Sequence, residues 1–81
     1  MSQPFQVDIY PVPASSYFNI QSPVGMRQVT VLDALGKIVL NRHGVGKFTT
    51  IDLPTALPAG LYFVEIQDVN GKLIREKVYI Q

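Results

Sequence analysis

Apolar and polar positions alternate with a period of two through most of the chain, which is the signature of half-buried strands. The clearest case follows Leu57-Pro58-Ala59-Gly60. Beyond that corner Tyr62, Val64 and Ile66 fall on one face, and Leu61, Phe63, Glu65 and Gln67 on the other. Pro58 fixes φ, and Gly60 can take the positive φ with which the chain turns up into the strand. Read from the start, residues 7–10 predict a first short strand, stopped by Pro11 and Pro13, and Ala14-Ser15-Ser16 a turn. Residues 17–20 predict a second, with Phe18 and Ile20 on one face, before the punctuation Ser22-Pro23-Val24-Gly25. A third covers residues 27–33, with Val29 and Val31 together, and turns through Asp33-Ala34-Leu35-Gly36 with Gly36 left-handed. Residues 38–40 predict a fourth strand and the polar, Gly-rich residues 41–47 a loop. Residues 48–53 predict a fifth, with Ile51 and Leu53 inside and Pro54 as its stop. After the corner strand, Asp68-Val69-Asn70-Gly71 predicts a hairpin in which Asn70 and Gly71 both accept positive φ, and residues 73–80 a seventh strand.

Seven strands with no helical period longer than one turn predict an all-β fold, a seven-stranded antiparallel β-sandwich. Its expected core is Ile20, Val29, Val31, Ile51, Leu53, Tyr62, Val64 and Ile66. A Tyr just after a Gly at the start of a strand resembles the tyrosine corner of immunoglobulin-like sandwiches, whose phenol bonds backbone a few residues upstream. Val64 stands where an antibody domain carries its second Cys.

Composition narrows the function classes. With 81 residues the chain makes one domain, and 47% hydrophobic against 16% charged residues make it globular. A net charge of +1 lacks the basic field of a nucleic-acid binder. Without Cys there is no disulfide, thiolate nucleophile or thiolate metal site. No apolar run approaches the ~18 residues of a membrane span. Met1-Ser2-Gln3-Pro4 has neither a basic nor an apolar signal region, so residues 1–6 read as a linker or an artificial start and residues 7–81 as the domain.

Candidate chemistry is sparse. Asp8, Asp33, Asp52, Glu65, Asp68 and Glu76 have no motif spacing and read as turn and surface acids. His43 has no Ser or acid at a triad offset, and Gly44-Val45-Gly46-Lys47 lacks the spacing and following helix of a phosphate loop. Tyr10, Tyr17, Phe63 and Tyr79 could form an aromatic platform for sugars, but cross-strand packing explains them more simply. Arg75-Glu76-Lys77 reads as edge protection. Leu32, Val39, Leu61, Phe63 and Tyr79 are apolar on the expected outer face, a patch that suggests docking on another protein or self-association. Nothing in the pattern predicts a catalytic group, metal or cofactor.

The order of elements resembles the C-terminal sorting domain of type IX secretion cargo in Bacteroidetes, the type A sorting domain. That family opens with a Tyr-Pro-Asn-Pro-Ala-like motif and a short strand, matched by Tyr10-Pro11-Val12-Pro13-Ala14 and Tyr17-Phe18-Asn19-Ile20. Its middle motif of strand, Asp, Gly and a basic residue is matched by residues 29–33, Gly36 and Lys37. Its last motif is matched by Leu57, Gly60-Leu61-Tyr62-Phe63-Val64 and Lys77-Val78-Tyr79-Ile80. Val12 departs from the family Asn, while the two prolines keep the turn. The resemblance implies a non-catalytic signal without cofactor. It implies recognition through Tyr10, Pro11, Pro13, Asp33, Gly36, Gly60, Tyr62, Lys77, Val78, Tyr79 and Ile80. Its implied partners are the outer-membrane translocon, a shuttle protein and a sortase, together with an upstream cargo domain. Its implied route runs from periplasm to cell surface or medium, with cleavage at or before the first strand. An immunoglobulin-like adhesion or carbohydrate-binding module is the alternative.

Overall fold

Alternation makes the strands and decides which faces meet. In the computed structural model, which describes residues 5–81, five strands follow one another: β1 (Asp8–Tyr10), β2 (Tyr17–Asp33), β3 (Ile38–Asp52), β4 (Gly60–Asp68) and β5 (Leu73–Ile80). The expectation for Met1-Ser2-Gln3-Pro4 lies outside the described residues. All strand pairs are antiparallel, in one sheet of order β1-β2-β4-β5 with β3 also on β2. No helix occurs among the described residues.

The expected seven strands are corrected to five, and the two separate sheets to one curled sheet, a half-barrel. Two predicted breaks do not end strands; they bend them. The start of β2 pairs with β1 and with residues 48–52 of β3, and its end pairs with residues 38–46 of β3 and with β4. Ser22-Pro23-Val24-Gly25 falls between these stretches, at a register shift. The N–H that Pro23 lacks is not needed there. Ser22 Oγ donates to Val24 O (2.7 Å) and accepts from Val24 N–H (3.1 Å), and Val69 N–H donates to Gly25 O (3.1 Å). On β3 the expected loop is a bulged strand. Gly44 and Gly46 take φ of 62° and 73°, which lets the strand kink without losing its partner.

The bend wraps the inner faces around one core. All eight predicted core residues are buried, joined by Phe18, Met26, Val78 and Ile80. The curl brings the last strand back to the start of the chain, where Ala14 forms a single parallel bridge with Ile80.

The turns show why Asp and Gly sit where they do. At Asp33, Oδ1 accepts from the N–H groups of Leu35 and Lys37, both 2.9 Å, while Gly36 takes φ 88° and donates to Asp33 O (3.0 Å). The β4–β5 turn repeats this device. Asp68 Oδ1 accepts from Asn70 (2.9 Å) and Lys72 (2.8 Å), and Gly71 takes φ 89°. Asn70 does not have positive φ, which corrects the expected pair of left-handed residues. By accepting from two local N–H groups, the Asp68 carboxylate oxygen favours a type I turn closed by a Gly bulge over the mirror-image turn. Asp68 is buried and Asp33 only half-buried. Asp68→Ala therefore leaves two part-buried backbone donors without their acceptor and is expected to lower stability by about 1–3 kcal/mol, with Asp33→Ala costing less. Urea titration of both variants checks this, and an unchanged midpoint for Asp68→Ala would refute it.

The expected apolar outer patch is largely covered. Leu32 is buried, facing Phe63 across the β2–β4 ladder, and Val39, Leu61 and Phe63 are half-buried. The Arg75 guanidinium lies 5.2 Å from the Phe63 ring centroid and is paired with Glu65, a cation–π contact made on a screened surface. Of that set only Tyr79 is well exposed, so little remains of the motive for self-association through this face.

Candidate functional site

The family-like motifs lie far apart in sequence, and strand pairing brings them to one end of the half-barrel. β2 ends at Asp33, whose ladder partner is Tyr62, and β4 begins at Gly60, whose partner is Ile80. Ile80 in turn bridges Ala14. The middle motif, the corner, the last strand and the opening motif therefore adjoin.

The corner is built as its sequence predicts. Leu57 N–H donates to Pro54 O (3.2 Å), closing a turn. Gly60 then takes φ 146°, a value open to Gly but not readily to a residue with Cβ. Tyr62 is buried, and its OH donates to Pro58 O at 2.6 Å, tying the strand to its own approach. Between this corner and the Asp33–Lys37 turn lies an open groove of about 530 Å³, lined in part by Val39, Leu57 and Leu61.

The opening motif docks by backbone. Ala14 N–H donates to Tyr79 O (2.8 Å), and Gln81 N–H donates to Ala14 O (2.7 Å). Ala14 is fully buried, so a larger side chain would have to displace its neighbours in the core. Pro11 and Pro13, both exposed, lack N–H groups, which keeps the rest of this segment from extending the bridge. A second open cleft of about 540 Å³ separates the free edges of β1 and β5, with Tyr10 on one side and Lys77 on the other.

The eleven carried-over positions divide by burial. Val78, Ile80 and Tyr62 point into the core and act through the fold. Asp33, Gly36 and Gly60 shape backbone. Tyr10, Pro11, Pro13, Lys77 and Tyr79 are exposed and could be touched by a partner. Sequence reasoning left out Ala14 as a site residue. Its signal was a small residue closing the Tyr10–Ala14 motif, but only the fold shows its partner. Of the four aromatics considered as a platform, Tyr10 and Tyr17 share one outer face, whereas Phe63 and Tyr79 belong to β4 and β5. His43 is exposed on the bulged part of β3, and among the described residues no three His, Cys, Asp or Glu groups gather as a metal site.

Comparison with known proteins shows the family. The profile of the secretion system C-terminal sorting domain matches residues 8–81. The chain belongs to that family, the C-terminal sorting domains of type IX secretion, and is thus a sorting signal for export to the cell surface or beyond. Among solved structures it is similar to the crystal structure of CopC from Methylosinus trichosporium OB3b. The TM-score is 0.56 at 16% identity, covering 94% of each chain, a likeness of fold alone. No curated protein matches the chain.

Proposed function

We propose that this half-barrel is the address label of a larger cargo protein, read as a folded unit in the periplasm by the type IX shuttle protein and outer-membrane translocon. A sortase then removes it and joins the cargo to the cell surface, or the cargo passes to the medium. The domain catalyses nothing itself. The observation that carries this reading is the family match across residues 8–81, whose motifs the fold assembles at one end. The exposed members of that end, Tyr10, Pro11, Pro13, Lys77 and Tyr79, form the surface a receptor would meet, while Asp33, Gly36, Gly60, Tyr62, Val78 and Ile80 hold it in shape. Residues 1–6 are the linker to that cargo or an artificial start.

The test is transport. A reporter with an N-terminal export signal, fused ahead of residues 6–81 in a cell with a type IX system, is expected at the surface or in the medium. Retention of that fusion in the periplasm, with the domain intact by immunoblot, would refute the proposal.

A further inference from the structure

We propose that the outer face of the β1–β2–β3 part of the sheet binds a neutral polysaccharide. The register places Tyr10, Asn19 and Thr50 in one row across the three strands. The next row holds Asp8, Gln21 and Phe48, and on the other side Tyr17 pairs with Asp52. Residues in register, or two apart on a strand, share a face. The opposite face of the same strands holds Phe18, Ile20 and Ile51, all fully buried, so these rows face solvent.

Three aromatic rings stand on this face, and none is used in packing the core. Tyr10, Tyr17 and Phe48 are 42%, 43% and 53% exposed. Strand spacing sets their Cα atoms roughly 8–14 Å apart across three adjacent strands. They surround a polar centre. Thr50 Oγ1 donates to Asn19 Oδ1 at 2.7 Å, which fixes the amide plane. Among the described residues no hydrogen bond uses Asn19 Nδ2 or the Gln21 side-chain amide.

This layout inverts that of a protein–protein hot spot, which has aromatic anchors at the centre and a polar rim. It suits a sugar chain. The C–H faces of successive rings lie on the peripheral aromatics, and the hydroxyls between them meet the central amides. Asp8 and Asp52 accept hydroxyl hydrogens, and the rows contain no Lys or Arg, so an anionic ligand is disfavoured. The site meets the sorting surface only at Tyr10, which belongs to both, whereas Tyr17 and Phe48 belong to this face alone.

Native affinity electrophoresis of the 81-residue chain tests this, with mixed-linkage β-glucan, glucomannan, dextran or soluble starch in the gel. At least one of these is expected to retard the chain. Tyr17→Ala and Phe48→Ala are each expected to weaken binding about 2- to 12-fold. Tyr17→Phe and Phe48→Tyr should retain it, as should Leu73→Ala, which removes an exposed apolar group on β5. Gln21→Ala, a small change on an exposed residue, should weaken binding with the fold intact by thermal melt. No retardation by any of the four, or equal retardation of the Tyr17→Ala, Phe48→Ala double variant, would overturn the proposal. Binding to poly-lysine alone would overturn it in favour of a basic partner. Secretion of a fusion carrying the double variant should be unchanged, which separates this site from the sorting signal.

Discussion

A cargo fusion lacking Lys77–Gln81 is expected to remain in the periplasm. The deletion acts in two ways that must be told apart. It removes Val78 and Ile80 from the core, and it removes the edge to which Ala14 is bonded. It also removes Lys77 and Tyr79, the exposed residues of the terminal motif. Val78→Asp isolates the first effect. Val78 is fully buried opposite Tyr62, so the new carboxylate would have no partner or water. A cost of more than about 3 kcal/mol is expected, enough to unfold much of so small a domain. Lys77→Ala isolates the second effect. Lys77 is exposed and loses mainly its charge, so stability should change by less than about 0.5 kcal/mol. Secretion assays on all three fusions, with melts of the isolated domains, decide between them. Retention of Val78→Asp alone means that the fold is what is read; retention of Lys77→Ala as well places the charge in the recognised surface. If the truncated fusion is secreted as well as the intact one, the sorting role fails.

Gly60→Val is expected to be the most damaging single change at the corner. At φ 146° a β-branched residue meets its own backbone, even though the space around a new Cβ is open. Strain of this kind costs about 1–3 kcal/mol. The gain in unfolded-state order from replacing Gly recovers only part of it. Tyr62→Phe should cost about 0.5–1.5 kcal/mol, because only the bond to Pro58 O is lost and the ring still packs. Guanidinium titration of the two variants gives the comparison. A Gly60→Val midpoint equal to that of the parent chain would show that the corner relaxes to negative φ.

The sequence carried the local rules and missed the ones that need two strands. The alternation of Tyr62, Val64 and Ile66 gave their burial, because a period of two has one solution once one face is apolar. The Gly60–Tyr62 corner and the Asp33–Gly36 turn were legible because both are built within a few residues. Pro23 and Gly44 misled because they mark a bend as readily as an end, and only the partner strand decides which. Asn70-Gly71 suggested a mirror-image turn, but the carboxylate of Asp68 two residues earlier set the other one. For the candidate sites, motif order showed which residues to watch but not that Ala14 meets Ile80. Phe48 was unremarkable in sequence. It joined Tyr10 and Tyr17 only when β3 folded back along β2.

The bridge between Ala14 and the last strand has a mechanical side. Ala14 and Ile80 run parallel, the one just downstream of β1 and the other at the end of β5. Once β1 has come away from β2, a pull that draws the upstream chain and the end of β5 apart slides the Ala14 segment along β5. The bonds Ala14 N–Tyr79 O and Gln81 N–Ala14 O then bear the load together, in shear, where an antiparallel contact pulled at its open end would peel one bond at a time. A passenger dragged by its tail thus tensions the clasp that keeps the tail folded.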